Sequence, residues 1–368
     1  MVEIPAFPLV EVRGAPFERG VMYGRAASEK INASLSLYSR RLIEKGMTWA
    51  TIRDLTTSFI DQIEAFSADY LEEMRGIATG ANIDIEGILL INCRTEVLQL
   101  ADRDTRSSID PDGCTGLVIL PPRSETQTLI HAQNWDWRVE CAQSSIVLRV
   151  LRDDGPNVLT FTEAGALARS GLNSIGTAIT ANYLECDRDY CQMGVPLPLI
   201  RRKALECDTF AGSLGIVATT PKSASNNMML SNAEGGGFAI DMECAPDETF
   251  TILPDDGLLV HANHWKSAVA LIKLKEMGLT SVPDSLYRDA RVRSVLDSHG
   301  RALTVEHAID ALMDRFGWPE SVCRPPGEYE DTISCTVAMI VMEPAKGRMR
   351  VCPLPTQQTT FSEYSILS

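Results

Sequence analysis

No stretch of this 368-residue chain approaches eighteen uninterrupted apolar residues, so no helix crossing a bilayer is expected. Basic residues are short relative to acidic ones: 34 Lys and Arg against 49 Asp and Glu give a net charge of −15. That field repels phosphate backbones and anionic lipid, so neither nucleic acid nor a membrane is an expected partner. The opening Met1-Val2-Glu3-Ile4-Pro5 has neither the basic nor the apolar region of a secretory signal, and a cytoplasmic protein is expected. Ten cysteines are scattered, with no CxxC pair, which argues against a disulfide framework and a zinc site. Cys186 and Cys191 are close enough to bridge, but reduced thiols are the expectation. GxSxG and HExxH are both missing, which removes the α/β-hydrolase and zincin readings. Gly235-Gly236-Gly237 lacks the context of a phosphate loop and reads as a hairpin turn.

What is present changes character along the chain. Apolar positions at helical spacing (Ile31, Leu35, Leu42, then Ile52, Leu55, Phe59, Ile63, and Leu71, Met74, Ile77) predict helices over 17–50 and 51–81, with a shorter one at 85–100. The polar, aperiodic stretch 101–113 reads as an exposed connector. Beyond it, strands are expected at 115–120, 128–132, 145–151, 157–162, 177–183, 227–231, 236–242, 250–253, 258–261, 333–342 and 348–352. Helices are expected at 198–207, 267–277, 285–298 and 305–316. Runs of strands and helices with few βαβ alternations indicate an α+β architecture with mainly antiparallel sheets. The helical N-terminal third is expected to pack against it as a second module.

Asp112-Gly113-Cys114-Thr115 is the most informative point, because a cysteine stands where the polar connector becomes a strand. Scission between Gly113 and Cys114 would give Cys114 a free α-amine with a pKa near ~7.7–8.0, beside a thiol near ~8.5. That amine could take the thiol proton without a histidine. The bland reading is a buried structural cysteine. Gln133-Asn134-Trp135-Asp136-Trp137 gathers polar and indole groups at the end of a predicted strand. His261-Ala262-Asn263-His264 closes another; its two histidines lack a third ligand, so no metal is expected. Asn263 is instead a candidate amide donor to an oxyanion, and Arg324 a candidate fixed cation.

In order and spacing these pieces resemble the acyl-CoA:6-aminopenicillanic acid acyltransferase (isopenicillin N acyltransferase) family of the N-terminal nucleophile (Ntn) hydrolases. The resemblance runs from Gly14-Ala15-Pro16-Phe17-Glu18 with Gly20 and Gly24, through Glu73–Ala78 and Asn92-Cys93-Arg94-Thr95-Glu96, to the Gly113-Cys114 junction. It continues through Gln133–Asp136, Thr162-Glu163-Ala164-Gly165, Gly194-Val195-Pro196, His261–His264, Pro283-Asp284-Ser285 with Arg288, and Cys323-Arg324.

The resemblance implies a four-layer αββα sandwich with a helical N-terminal segment. It also implies a precursor cut before Cys114, giving an α chain (1–113) and a β chain (114–368) that remain partners. Cys114 would be the nucleophile, Asp136 and Arg324 its supporting charged pair, and Asn263 the oxyanion donor. Asn182 and Trp137 would line the pocket. The expected reaction moves an acyl group through a Cys114 thioester from a small-molecule amide, or from acyl-CoA as co-substrate, to an amine or to water. No bound cofactor is implied. The competing readings are an uncleaved, inactive binding scaffold and a zinc hydrolase built on His261 and His264. Two departures stand out: Glu243-Cys244-Ala245-Pro246 lacks the serine that the family carries after a Glu-aromatic pair, a lost hydroxyl that counts against a penicillin substrate, and the end Ser365-Ile366-Leu367-Ser368 lacks a peroxisomal tripeptide.

Overall fold

The computed structural model describes residues 5–105, 113–327 and 334–366. Strand β1 (Leu9–Arg13) is followed by helices α1 (Pro16–Ala26), α2 (Ser28–Glu44), α3 (Trp49–Thr57), α4 (Ile60–Phe66), α5 (Ala68–Ala81), α6 (Ile85–Asn92) and α7 (Arg94–Thr105). Next come β2 (Thr115–Ile119), β3 (Ile130–Trp137), the single turn α8 (Cys141–Ser144), β4 (Ser145–Leu151), β5 (Val158–Glu163), β6 (Ser170–Asn173) and β7 (Thr177–Tyr183). Helices α9 (Leu197–Leu205) and α10 (Phe210–Thr219) lead to β8 (Asn226–Asn232), β9 (Phe238–Cys244), β10 (Thr249–Ile252) and β11 (Leu258–His261). The chain closes with α11 (Ala268–Lys273), α12 (Ser285–Ser298), α13 (Val305–Leu312), β12 (Cys335–Glu343), β13 (Arg348–Pro353) and β14 (Ser362–Ser365).

Two sheets face each other. One has the order β1-β4-β5-β6-β7-β8-β9-β10 and the other β11-β2-β3-β12-β13-β14. Pairing is antiparallel apart from β1 on β4. Helices α12 and α13 cover the outer side of the second sheet, with Val292, Leu296, Ala308 and Leu312 against Leu117, Ile119, Ala132 and Met339. The N-terminal helices and α9 share one apolar core with the first sheet and the inner face of the second. The layers are therefore α, β, β, α. The N-terminal third is not the separate module expected from sequence: it contributes strand β1 and is continuous with that core.

Other differences have local causes. Residues 101–105, read as connector, extend α7, while 106–112, including Asp112, lie outside the described residues. So do Ile333 of the predicted strand 333–342, and Leu367 and Ser368. The helix expected at 267–277 ends at Lys273, because the chain beyond it pairs with 185–187: Met277 N–H donates to Glu185 O and Asp187 N–H to Lys275 O. Gln133–Trp137 is not a strand-end turn but the second half of β3. Strands β1, β6 and β14 and helix α10 were not expected. The strands are only four or five residues long, and α10 carries two glycines, so periodicity has little to act on.

Helices α1 and α5 lie unusually close. A Cβ on Gly20 would land on Glu73 O, one on Gly24 on Ile77 O, one on Gly76 on Phe17 O, and one on Gly80 on Val21 O. Glycine at four positions lets the two backbones touch. Replacing Gly76 with alanine should lower stability by about 1–3 kcal/mol or more, whereas Gly215→Ala, where a Cβ meets nothing within 4 Å in α10, should be neutral or stabilising by about 0.4–1 kcal/mol. Chemical denaturation of both variants checks the contrast; equal effects would show that the seam is not tightly packed.

Candidate active site

The Gly113-Cys114 peptide enters β2, the strand next to the β11 edge of the second sheet, where Thr115 pairs with Asn134 of β3 and Gly116 with His261 of β11. Cys114 is completely buried. Its Sγ lies 3.9 Å from Asp136 O, and Arg169 Nη2 donates to it at 3.5 Å.

Asp136 sits on β3, opposite Thr336 of β12, where a register shift between Thr336 and Ala338 re-aims the strand. Thr336 Oγ1 donates to Asp136 Oδ1 at 2.7 Å and accepts from Arg324 N–H at 2.8 Å. One hydroxyl thus positions both members of the expected pair, and Arg324 Nε stands 3.4 Å from Asp136 Oδ2. The Arg324 guanidinium also pairs with Asp284 and, through Nη1, donates to Ser334 Oγ at 3.2 Å. It lies against the Cα of Gly113, where a Cβ would fall 2.5 Å from Cζ. Glycine is therefore required before Cys114 for a reason not visible in the sequence: a fixed cation occupies the space of a side chain.

Arg288 completes this network. From α12 its Nε donates to Asp284 Oδ2 at 2.6 Å, and Nη1 donates to Gly113 O, Cys114 O and Thr115 Oγ1, each at 2.8 Å. Nη2 donates to Asn263 Oδ1 at 2.7 Å. Burial works against the Arg324 charge, but Asp284 and Asp136 outweigh it and hold that guanidinium above its ordinary value. Burial and the neighbouring Arg324 together pull Arg288 below its ordinary value. Two carboxylates and two guanidiniums thus alternate in a buried row, and Arg288 grips the carbonyl oxygen that a nucleophile at Cys114 would turn into an oxyanion.

The other expected residues have the following places. Asn263 is nearly buried, its Oδ1 turned to Arg288 and its Nδ2 donating to Tyr183 O at 2.9 Å. One amide hydrogen is thereby used; the second is the one an oxyanion role would need. Asn182 links the sheets, with Nδ2 donating to His261 O and Ala262 O at 2.9 and 3.0 Å and Oδ1 accepting from Gln133 Nε2 at 2.7 Å. Trp137 packs toward the N-terminal helices: its Nε1 donates to Tyr38 OH at 3.1 Å and Arg94 lies over its ring at 4.8 Å. His261 and His264 stack instead of converging on one point, with ring centroids 6.2 Å apart. His261 Nε2 pairs with Glu243 at 2.9 Å and His264 Nδ1 with Ser285 Oγ at 2.8 Å. Among the described residues no group of three or more His, Cys, Asp or Glu could hold a metal ion.

Sequence reasoning missed Arg288, Asp284, Thr336 and Arg169 as site residues. Asp284 and Arg288 were legible as an i, i+4 pair at the start of a predicted helix. Arg169 had no signal, standing alone in Ala166-Leu167-Ala168-Arg169-Ser170-Gly171.

Because the charges of the row are buried, removing one leaves its partner unpaired at a cost of roughly 3–5 kcal/mol. Asp136→Asn and Arg324→Ala should each lower the unfolding free energy and impair the chemistry at Cys114. Urea unfolding and fragment analysis read both effects, and a variant normal in both would place that residue outside the site.

No family model matches the chain. In sequence it is 28% identical over 318 residues, 86% of this chain and 84% of the other, to the acyl-coenzyme A:6-aminopenicillanic-acid-acyltransferase 40 kDa form of Emericella nidulans. Among solved structures it is similar to a variant of the conjugated bile acid hydrolase of Clostridium perfringens, with 12% identity, coverage of 69% of this chain and 92% of that one, and a TM-score of 0.47. It is also similar to penicillin V acylase from Agrobacterium tumefaciens, with 14% identity, coverage of 68% and 84%, and a TM-score of 0.43. In sequence the chain is similar to the acyl-coenzyme A:6-aminopenicillanic-acid acyltransferase, and in architecture it is an αββα sandwich.

Proposed function

We propose that this chain is a self-processing cysteine enzyme of the Ntn type, which cuts itself between Gly113 and Cys114 and then transfers acyl groups through a Cys114 thioester. The observation that carries the reading is the treatment of one peptide bond: its carbonyl oxygen, Gly113 O, accepts from the buried Arg288 at 2.8 Å, and the residue that follows it is a buried cysteine. In the first step the Cys114 sulfur attacks the Gly113 carbonyl carbon, the C–N bond breaks, and the thiol proton goes to the departing amine. Water then cleaves the thioester, leaving a carboxylate on Gly113 and a thiol on an amino-terminal Cys114. In turnover the same sulfur takes an acyl group from an amide or an acyl-CoA, and an amine or water removes it.

The likeness to an acyl-coenzyme A acyltransferase supports transfer and an acyl-CoA donor. The serine that the family carries after a Glu-aromatic pair has no counterpart in Glu243-Cys244-Ala245-Pro246, which argues against a penicillin acceptor. Cys244 lies on the side of β9 opposite Glu243, buried in the apolar core. Among the described residues no helix is long and apolar enough to cross a membrane, which fits a small-molecule substrate met in water.

Under denaturing conditions the protein should separate into chains of 113 and 368 − 113 = 255 residues, the larger beginning with Cys114 by intact mass and terminal sequencing. Cys114→Ala should remain whole and inactive, and Cys114→Ser should process slowly, a hydroxyl being the weaker nucleophile. A wild-type protein that stays whole, or a larger chain with another first residue, defeats the proposal.

Asn263 faces the site through Arg288. If its free amide hydrogen serves the oxyanion during turnover, processed Asn263→Ala should lose about 10²–10³-fold in kcat, with substrate affinity much less changed. Steady-state kinetics on amide and acyl-CoA substrates decide it, and a loss confined to affinity would make Asn263 a substrate-binding residue.

A further inference from the structure

Arg169 belongs to none of the pairs described above, yet it touches the nucleophile. Successive side chains of β3 point to opposite faces, so Asp136 and its row of charges lie toward the helices while Trp135 lies between the sheets. Arg169 is on the Trp135 side: its Cζ lies 4.3 Å from the centroid of a Trp135 ring, and its Nη2 donates to Cys114 Sγ at 3.5 Å. The side chain is almost fully buried.

The loop that carries it is held from several directions. Arg169 N–H donates to Thr160 Oγ1 at 3.2 Å, and Ser170 Oγ to Gln133 Oε1 at 2.6 Å. Residues of the N-terminal helices fasten the rest. Asn92 donates to Gly165 O and accepts from Leu167 N–H, at 2.9 and 3.0 Å, while Tyr23 OH accepts from Gly165 N–H at 2.9 Å and donates to Ala166 O at 3.0 Å. A guanidinium fixed in this way is a preorganised charge, not a surface arginine that happens to reach inward.

The chemistry of the position follows from the donor. A guanidinium has no lone pair to give and stays protonated, so Arg169 cannot take the thiol proton. It can stabilise the thiolate, which is the nucleophilic form. We propose that Arg169 is a catalytic residue of this site, its guanidinium stabilising the Cys114 thiolate in both self-cleavage and turnover. This rests on the reading of Cys114 as the nucleophile of a self-processing enzyme. In the precursor the proton leaves with the departing amine. In the processed enzyme the Cys114 α-amine takes it, the thiolate attacks the acyl carbon, the bond to the leaving group breaks, and the ammonium returns the proton to that group. Two buried thiols with no cation beside them among the described residues show the effect of burial: Cys352 is pushed up to about 12, and Cys93, with Glu96 near it, well above its ordinary value.

The test is the pH dependence of alkylation by iodoacetamide, followed on the Cys114 peptide by mass spectrometry in the processed wild type, Arg169→Gln and Arg169→Lys. Loss of an opposite charge at this distance should move the midpoint upward by about one pH unit or more. Arg169→Gln should show that shift together with a tenfold or larger fall in kcat at neutral pH, and Arg169→Lys should recover most of the midpoint. Should Arg169→Gln fail to process near neutrality, raising the pH supplies thiolate directly, so cleavage should return at pH 9–10. An unchanged midpoint, or no alkaline recovery in a variant with a normal thermal melt, overturns the proposal. A wild-type chain that never cleaves fails the underlying reading instead, and a wild type that cleaves beside an Arg169→Gln protein with an unshifted midpoint fails the Arg169 assignment alone.

Discussion

The arrangement around Cys114 depends on one row of buried charges: Asp136, Arg324, Asp284 and Arg288, in that order. None of the four could be buried alone, because an unpaired charge away from water is far more costly than a paired one. As a set, two carboxylates offset two guanidiniums. The row connects β3, the segment before β12 and the start of α12, and its two arginines bracket the junction at residue 113. Arg324 lies against the Gly113 Cα and Arg288 holds the Gly113 and Cys114 carbonyls. The peptide before β2 is therefore placed by electrostatics from three separate parts of the chain.

The N-terminal helices act on the same site from the other side of the sheets. The four-glycine seam sets α1 directly against α5, and from that base Tyr23 and Asn92 hold the loop leading to Arg169. Arg94 pairs with Glu163 at 2.7 Å and lies over both Tyr38 and Trp137, while Tyr38 OH also bonds Glu163. Glu96 accepts from Leu197 N–H at the first turn of α9, its carboxyl pushed up to about 7 by burial against the hydrogen bonds that favour its charge. The stretch Asn92-Cys93-Arg94-Thr95-Glu96 is thus a clamp between the N-terminal region and the first sheet. A chain cut near residue 113 would keep these contacts, since none of them runs through the Gly113-Cys114 peptide bond.

Much of this was legible beforehand. Long periodic segments such as α2, α5, α12 and α13 stand out because many apolar positions report on one face, and β2, β4 and β7 because their short apolar runs are flanked by turn residues. The short strands β6 and β14 are not legible, since their partners, not their own residues, make them strands, and in β1 the alternation of Val10 and Val12 spans only five residues. At the site, Cys114, Asp136 and Arg324 lie in sequence patterns dense enough to notice, and the fold does bring them together. Asn182 and Trp137 were noticed for the same reason, yet their polar groups are taken up in an inter-sheet link and a clamp on the N-terminal helices. A polar residue at a strand end looks the same whether it faces a pocket or a neighbouring carbonyl.

The sequence by itself determined the α+β class, the mainly antiparallel strands and the cysteine opening a strand, because these follow from local periodicity, while the layering and the Asp136–Arg324 pair were implied only by its resemblance to a known family. Only the tertiary structure decided which charges meet. Arg288 reaches Gly113 O across 175 positions and Arg169 reaches Cys114 across 55, and although Asp284 marks Arg288 as a paired residue, nothing local shows that either arginine meets the Gly113-Cys114 junction. Side-chain encounters between distant segments are set by how sheets and helices stack, so a lone arginine acquires its role only when folding removes the water around it.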